Sequence, residues 1–188
     1  DSDNAGEDNN AKIILSQDGG LNLARVGFVD NSNILEFYNT LSPGSDSHIR
    51  FGTDNTERMK ILQTGNVGIN VTDPLKKLHV DGPALSTVKT LTDASTVTSD
   101  FDVGQNFTLT LGGNRTLGAP SNVDAGQVGS IFIIQDGTGS RTLAYNSIWK
   151  FAGGTAPVLS TAAGAIDRLD YIVQSGTAIQ ALLTKAYA

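Results

Sequence analysis

The sequence contains no cysteine, few charged residues and few aromatic residues, and each shortage excludes a class of protein. Without cysteine, the chain of 188 residues can form neither a disulfide nor a thiolate metal site. Charged residues make up 17% of the chain and the net charge is −6, so we expect no clustered basic face of the kind that binds nucleic acid. No apolar run approaches the ~18 to 20 residues that cross a bilayer, so we expect no membrane insertion.

No combination of residues indicates catalysis. There is no cysteine nucleophile, and the glycine-rich stretch at 137–141 lacks the Gly-Lys-Ser/Thr ending of a phosphate-binding loop. The acidic residues at 1–8 lack the twelfth-position acid of an EF-hand loop, which favours a disordered acidic tail over a calcium site. His48 and His79 each fit a strand pattern, with a lone metal ligand, or stacking of His79 around a symmetry axis, as the alternative. We therefore expect no enzyme activity, no cofactor and no metal site.

The chain is instead rich in glycine, with 21 residues, and in short stretches where apolar and polar residues alternate. Gly, Asn, Asp and Pro separate these stretches, a pattern that predicts an all-β fold of short strands and tight turns. We predict strands at 12–16, 21–29, 33–38, 48–51, 57–62, 107–111, 115–117, 129–135, 141–145, 148–151, 169–174 and 178–184. The first three should pair antiparallel, and hairpins should join 107–111 to 115–117 and 169–174 to 178–184. A short helical turn within 159–169 is the less favoured alternative.

The pattern of apolar, polar and turn-forming residues changes near residue 82 and divides the chain. We predict an acidic tail or linker at 1–10, a β-ribbon at 11–82 and a β-sandwich or jelly-roll-like domain at 100–188. Residues 83–99 should be a connector or contain a lone strand around 86–91. The ribbon has few apolar side chains per strand, too few for one copy to offset the ~1 to 2 kcal/mol of backbone entropy lost per ordered residue. We therefore expect three copies to intertwine around one axis as a homotrimer.

Several short elements follow one another between residues 57 and 82. They are Glu57-Arg58-Met59-Lys60-Ile61, Thr64-Gly65-Asn66-Val67-Gly68-Ile69, Pro74 and Leu78-His79-Val80-Asp81-Gly82. This segment resembles one that is common in bacteriophage tail fibre and tail spike proteins, where it reads E-R-M-x-I, G-N-V-G-I-G-T, P and L-x-V-x-G. Asn70-Val71 stands where that pattern has Gly-Thr. Residues 95–185 are similar to a β module of phage virion proteins, especially marine ones.

The resemblance implies a trimeric protein of the virion, in a tail appendage or on the capsid surface. Its partners would be other tail or capsid proteins and a glycan or protein of the host cell surface. We expect a tail fibre or receptor-binding component that mediates host attachment, with a capsid decoration or head-fibre protein as the alternative. In the trimer, Val67, Ile69, Leu78 and Val80 would point at the axis, and Gly65 and Gly68 would let the backbones approach closely.

Two further interpretations concern sugars. Tyr145 and Trp149 are possible receptor contacts, because an exposed aromatic ring beside polar residues can stack on a sugar. The favoured alternative is that Trp149 and Phe151 fill the core of the sandwich or a trimer interface. A polysaccharide-degrading tailspike would need paired carboxylates in a groove and usually a long solenoid repeat, and the sequence shows neither.

Overall fold

The computed structural model describes residues 12–16, 22–28, 35–39 and 48–187. In this part of the chain the regular structure consists of sixteen β-strands and one 3-10 turn at Ala152–Gly154, so the predicted all-β fold class is confirmed. The helical turn considered within 159–169 does not form. The predictions for residues 1–10, and for the turns around residues 17–20 and 30–32, lie outside the described residues.

Twelve of the strands lie close to the twelve predicted positions, and the other four lie within residues 67–97. In chain order they are β1 (Lys12–Ser16), β2 (Asn22–Phe28), β3 (Leu35–Asn39), β4 (Ile49–Thr53), β5 (Thr56–Ile61), β6 (Val67–Ile69), β7 (Leu78–Val80), β8 (Val88–Thr90), β9 (Thr96–Val97), β10 (Asn106–Leu111), β11 (Arg115–Leu117), β12 (Val128–Gln135), β13 (Leu143–Tyr145), β14 (Trp149–Phe151), β15 (Ile166–Ser175) and β16 (Ala178–Tyr187).

The chain divides between Ala84 and Leu85 into two compact units, and the first unit contains two sheets. Strands β1, β2 and β3 pair antiparallel in that order, as predicted. Strands β4 to β7 form a four-stranded sheet in chain order. Its first two pairs are antiparallel, whereas β6 and β7 are parallel because the segment between Ile69 and Leu78 returns the chain to the start of β6.

The second unit winds back and forth between two sheets. Strands β8, β10 and β12 lie parallel in one sheet, and strands β9, β11 and β13 lie parallel in the other. Asn106 pairs with Val88 on one side and with Ser130 on the other, so successive turns of the winding advance by 18 and 24 residues. Strands β15, β16 and β14 then extend the first sheet, which has the order β14-β16-β15-β12-β10-β8.

The hydrophobic core lies between these two sheets. Successive residues of a strand point to opposite faces, so Phe107, Leu109 and Leu111 of β10 are all buried on the inner side. Every buried apolar core residue in the described part of the chain lies between Leu91 and Ile179. Among the first-unit side chains whose burial is described, Pro74 is buried and no Val, Leu, Ile, Met, Phe or Tyr side chain is.

The second unit differs from three expectations. The hairpin predicted for 107–111 and 115–117 is wrong, because both edges of β10 are occupied by β8 and β12, so the chain continues into the other sheet. The parallel pairing also differs from a jelly roll, whose strands are antiparallel. The parallel strands instead form a short solenoid. Its turns differ in length, so the sequence shows no regular repeat. The segment at 83–99, expected to be a connector or to contain a lone strand around 86–91, contains two strands, β8 and β9, and the buried Leu91 and Val97. The predicted terminal hairpin is confirmed as β15 and β16.

Candidate functional site

A tight hairpin joins the first two strands of the four-stranded sheet. Asp54 and Asn55 join β4 to β5, and both have a positive φ, 52° and 55°. Two residues with positive φ form a type I′ turn, which Asn and Asp tolerate and which matches the twist of the strands it joins. The turn pairs Thr53 with Thr56, and a β-bulge between Phe51 and Gly52 then shifts the register by one residue, so that Ile49 lies opposite Ile61.

The pairing of β5, β6 and β7 extends this row of apolar residues across the sheet. Ile61 pairs with Val67, and Val67 pairs in turn with Leu78. A second row of pairs lies two residues away: Phe51 pairs with Met59, Met59 with Ile69, and Ile69 with Val80. Paired residues share a face of the sheet, so eight apolar side chains lie together. We call them the ribbon face: Ile49, Phe51, Met59, Ile61, Val67, Ile69, Leu78 and Val80.

The side chains of the ribbon face are exposed or half-buried in the single chain. Phe51 is 49% exposed, Ile69 36% and Leu78 64%. The other five side chains are half-buried and none is buried. The opposite face of the sheet is polar, with Arg50 beside Lys60 in the register. The sheet is therefore amphipathic, with an uncovered apolar side.

The structure brings together the four residues predicted to line a trimer axis, Val67, Ile69, Leu78 and Val80, since all belong to the ribbon face. Sequence reasoning missed the contribution of β4. Alternation at residues 49–51 was the available signal, but the register shift between Phe51 and Gly52 decides that the apolar residues of β4 lie opposite Met59 and Ile61.

The fold of a single chain explains why positions 65 and 68 are both glycine. Gly65 has a φ of 78° in the turn between β5 and β6, where its N–H donates to the carbonyl oxygen of Leu62. Gly68 is buried, and a Cβ there would lie 2.2 Å from the carbonyl oxygen of Val71. Within a single chain, the close approach that Gly68 permits is to the chain's own backbone, and the approach between copies stays a prediction.

Asn70 replaces a glycine of the phage-type pattern, and its backbone explains why Asn is tolerated. Its φ is 57°, in the left-handed region that Gly and Asn adopt most readily. The Asn70 N–H donates to the carbonyl oxygen of Arg58 at 2.8 Å, and the side-chain amide donates to that of Asp81 at 3.3 Å. This departure from the pattern keeps the turn.

The loop between β6 and β7 is held against the preceding turn. The Asn66 amide donates to the carbonyl oxygen of Pro74 at 2.9 Å, and the Lys77 ammonium donates to that of Thr64 at 2.8 Å. His79 Nδ1 accepts a long hydrogen bond of 3.4 Å from the N–H of Leu75, so this histidine takes part in the same local structure. Among the described residues, no group of three or more His, Asp or Glu side chains could hold a metal ion.

The two aromatic residues proposed as receptor contacts have different surroundings. Trp149 is 4% exposed, packs edge-on against Tyr171, and donates its indole N–H to the carbonyl oxygen of Gly118 at 2.9 Å. It is a core residue, so the receptor-contact interpretation of Trp149 is wrong. Tyr145 is half-buried against Phe151, with ring centroids 4.7 Å apart, and burial raises the pKa of Tyr145. Its hydroxyl has no hydrogen-bond partner among the described atoms.

Two arginine–aspartate pairs fasten the corners where the winding passes between sheets. Arg115 donates to both carboxylate oxygens of Asp93, at 2.8 and 2.6 Å, which lowers the pKa of Asp93. Arg141 donates to Asp136 at 3.0 and 2.7 Å and lowers the pKa of Asp136 to about 2. The first pair joins residues 22 positions apart, so it links one turn of the winding to the next. These carboxylates thus serve as structural clamps.

The chain was compared with protein-family models, with curated proteins and with solved structures, and none of these matches it. In the part of the chain that the structure describes, no helix has the length and apolar character needed to cross a membrane. The functional argument therefore depends on the residues and geometry above, together with the resemblance of residues 57–82.

Proposed function

We propose that this chain is a bacteriophage virion structural protein, a tail fibre or receptor-binding component that attaches to the host cell as a homotrimer. Its first unit forms the trimeric β-ribbon, and its second unit presents loops to a glycan or protein of the host surface. Three identical units on one axis bind the host surface more tightly than one unit does, because they bind at the same time, although each unit makes the same contacts. The chain carries out no catalysis in this role.

The observation that carries the proposal is the uncovered ribbon face. Eight apolar side chains share it, and among the first-unit side chains whose burial is described no Val, Leu, Ile, Met, Phe or Tyr is buried. Covering these half-exposed side chains contributes on the order of 5 to 10 kcal/mol per copy, given 1.5 to 3 kcal/mol for each fully buried one. Copies of the same face around an axis can supply that cover, and this is how a fibre segment of the phage type would be stabilised.

The proposed trimer can be tested by sedimentation equilibrium of the full chain. We expect the wild type to sediment as a trimer and Leu78→Glu, on the ribbon face, to dissociate. Leu75→Glu is the matched control, because Leu75 is 74% exposed and lies in the neighbouring loop outside the ribbon face. A folded monomeric wild type, or equal dissociation by both variants, would contradict the trimeric ribbon.

The role in attachment can be tested on intact phage particles by electron microscopy with a labelled antibody against the second unit. Label on the tail, together with binding of the purified chain to host cells, is the expected result. Label at regular positions on the capsid, without cell binding, would replace the proposal with capsid decoration. Particles that carry no label would overturn both roles, provided that the antibody binds the purified chain in the same buffer.

A further inference from the structure

The six-stranded sheet of the second unit has an outer face, turned away from the core, that is rich in apolar side chains. The register aligns them across neighbouring strands: Val128 pairs with Ile172, and Ile134 pairs with Ile166. Leu182 of β16 lies beside Asp170 of β15, at the equivalent outward position. Together with Phe132 of β12, these residues form two apolar areas, one towards each end of the central strands, with Ser130, Arg168 and Asp170 between them. We call the apolar set the outer face: Val128, Phe132, Ile134, Ile166, Ile172 and Leu182.

The outer face is open in the single chain. Leu182 is 64% exposed, Val128 50% and Ile172 48%, and the other three residues are half-buried. A groove of about 660 Å³ runs along it beside Ile172 and Leu182, bordered by Lys150 at one end. Exposed apolar side chains grouped on one face, with polar residues beside them, are typical of a protein interface.

The charges at the centre of the outer face neutralise one another. The Arg168 Nε lies 2.9 Å from a carboxylate oxygen of Asp170, and that carboxylate also accepts a hydrogen bond of 2.6 Å from the Ser130 hydroxyl. The Arg168 guanidinium also lies 5.2 Å from the ring centroid of Tyr187. The surface therefore has no strong field of one sign, in a chain whose net charge is −6. A strongly acidic or basic partner finds no complement here, whereas an identical face meets no repulsion.

We propose that the outer face is where the second units of neighbouring copies pack against one another. The area of the outer face is sufficient for packing against a second copy. Six strands about 4.8 Å apart, with central strands of about 8 to 10 residues at ~3.3 Å each, present roughly 600 Å². Two such faces bury roughly 1,200 Å², the lower bound for a stable specific interface. The number of copies in this inference rests on the proposed homotrimer, but the choice of surface does not.

The absence of cysteine allows a direct test on the full chain, because one introduced cysteine is the only thiol. We compare the rates at which a maleimide labels Leu182→Cys, Val103→Cys and Val158→Cys, and we determine the mass of each by sedimentation. Val103 and Val158 are controls, because their exposed fractions of 56% and 73% bracket the 64% of Leu182 in a single chain. We expect Leu182→Cys to react at least ~10-fold more slowly than both controls in the assembled protein. Ile172→Asp should also lower the mass at equal concentration.

The outcomes separate this inference from the proposed function. A trimer in which all three cysteines react at similar rates, with Ile172→Asp still trimeric, overturns the inference and leaves the ribbon trimer standing. Slow labelling of Leu182→Cys in a dimer supports the outer face as the interface but contradicts the trimer. A monomer with three similar rates overturns both. If Leu182→Cys fails to fold, the effect of Ile172→Asp on the mass decides the matter alone.

Discussion

A methyl group added at Gly129 should destabilise the second unit strongly. Gly129 lies in β12 opposite Tyr171, and a Cβ there would lie 1.7 Å from the carbonyl oxygen of Gln105 and 2.6 Å from the Tyr171 hydroxyl. Ordinary contact begins at 3.4 Å, so the Gln105 carbonyl would have to move by about 1.7 Å. That oxygen accepts hydrogen bonds from the Tyr171 hydroxyl at 2.8 Å and from the N–H of Ser130 at 3.2 Å.

The two effects add to a large fraction of the stability. Forcing a group into a filled site costs about 1 to 3 kcal/mol, and each lost hydrogen bond costs about 1 kcal/mol, so we expect Gly129→Ala to lower the free energy of unfolding by about 3 to 5 kcal/mol. A domain is stable by only about 5 to 15 kcal/mol. For a domain of about 100 residues, this loss lowers the melting temperature by more than about 12 °C.

The measurement is urea unfolding followed by the fluorescence of Trp149, the single tryptophan, which lies in the core of the second unit. Gly137→Ala is the matched control, because its added Cβ meets no atom within 4 Å, and it should change the stability by less than about 0.5 kcal/mol. If Gly129→Ala does not fold, Tyr171→Phe should still show a loss of about 1 kcal/mol. Equal stability of the two alanine variants would refute the close passage of Gln105 over β12.

Three other predictions follow from the same structure. Leu109→Ala, at a fully buried site, should cost about 2 to 5 kcal/mol in urea unfolding, whereas Leu85→Ala, at 95% exposure, should be nearly neutral; equal losses would contradict the core assignment. Asn70→Gly should be tolerated, but Asn70→Val should lose about 1 to 3 kcal/mol because of its left-handed φ, and equal melting temperatures would contradict that conformation. The pKa of Asp136 is lowered to about 2 by Arg141, so its stabilisation is present above about pH 4 and is lost as the pH falls towards 2. Unfolding of Asp136→Asn at several pH values should therefore show a smaller decrease in stability over that interval than the wild type shows, and identical pH profiles would exclude the clamp.

Several features followed from local sequence. Alternation and turn residues predicted the all-β class, most strand positions and the terminal hairpin, because each depends on neighbours in the chain. The four residues Val67, Ile69, Leu78 and Val80 were grouped on one face for the same reason. The role of Gly68 was not predictable in this way, since it depends on how the loop after β6 folds back over it.

The burial of Trp149 depends on contacts with residues that are distant in the sequence. Its local pattern, an aromatic beside Tyr145 and polar residues, suits either a sugar-binding surface or a core. Its hydrogen-bond acceptor, the carbonyl oxygen of Gly118, lies 31 residues away, and the sheets that enclose it are assembled from strands far apart in the chain. Burial was therefore decided by the fold.

By itself, the amino-acid sequence determined that this chain forms short strands with tight turns and that its apolar residues lie on one side of each strand. Only the tertiary structure decided which strands are neighbours. The stretches at 107–111 and 115–117 suit a hairpin locally, yet β10 has both edges satisfied by β8 and β12, so the chain turns the corner into a second sheet. Which strands pair depends on which backbone edges are available in the whole domain. The local pattern of side chains does not contain that information.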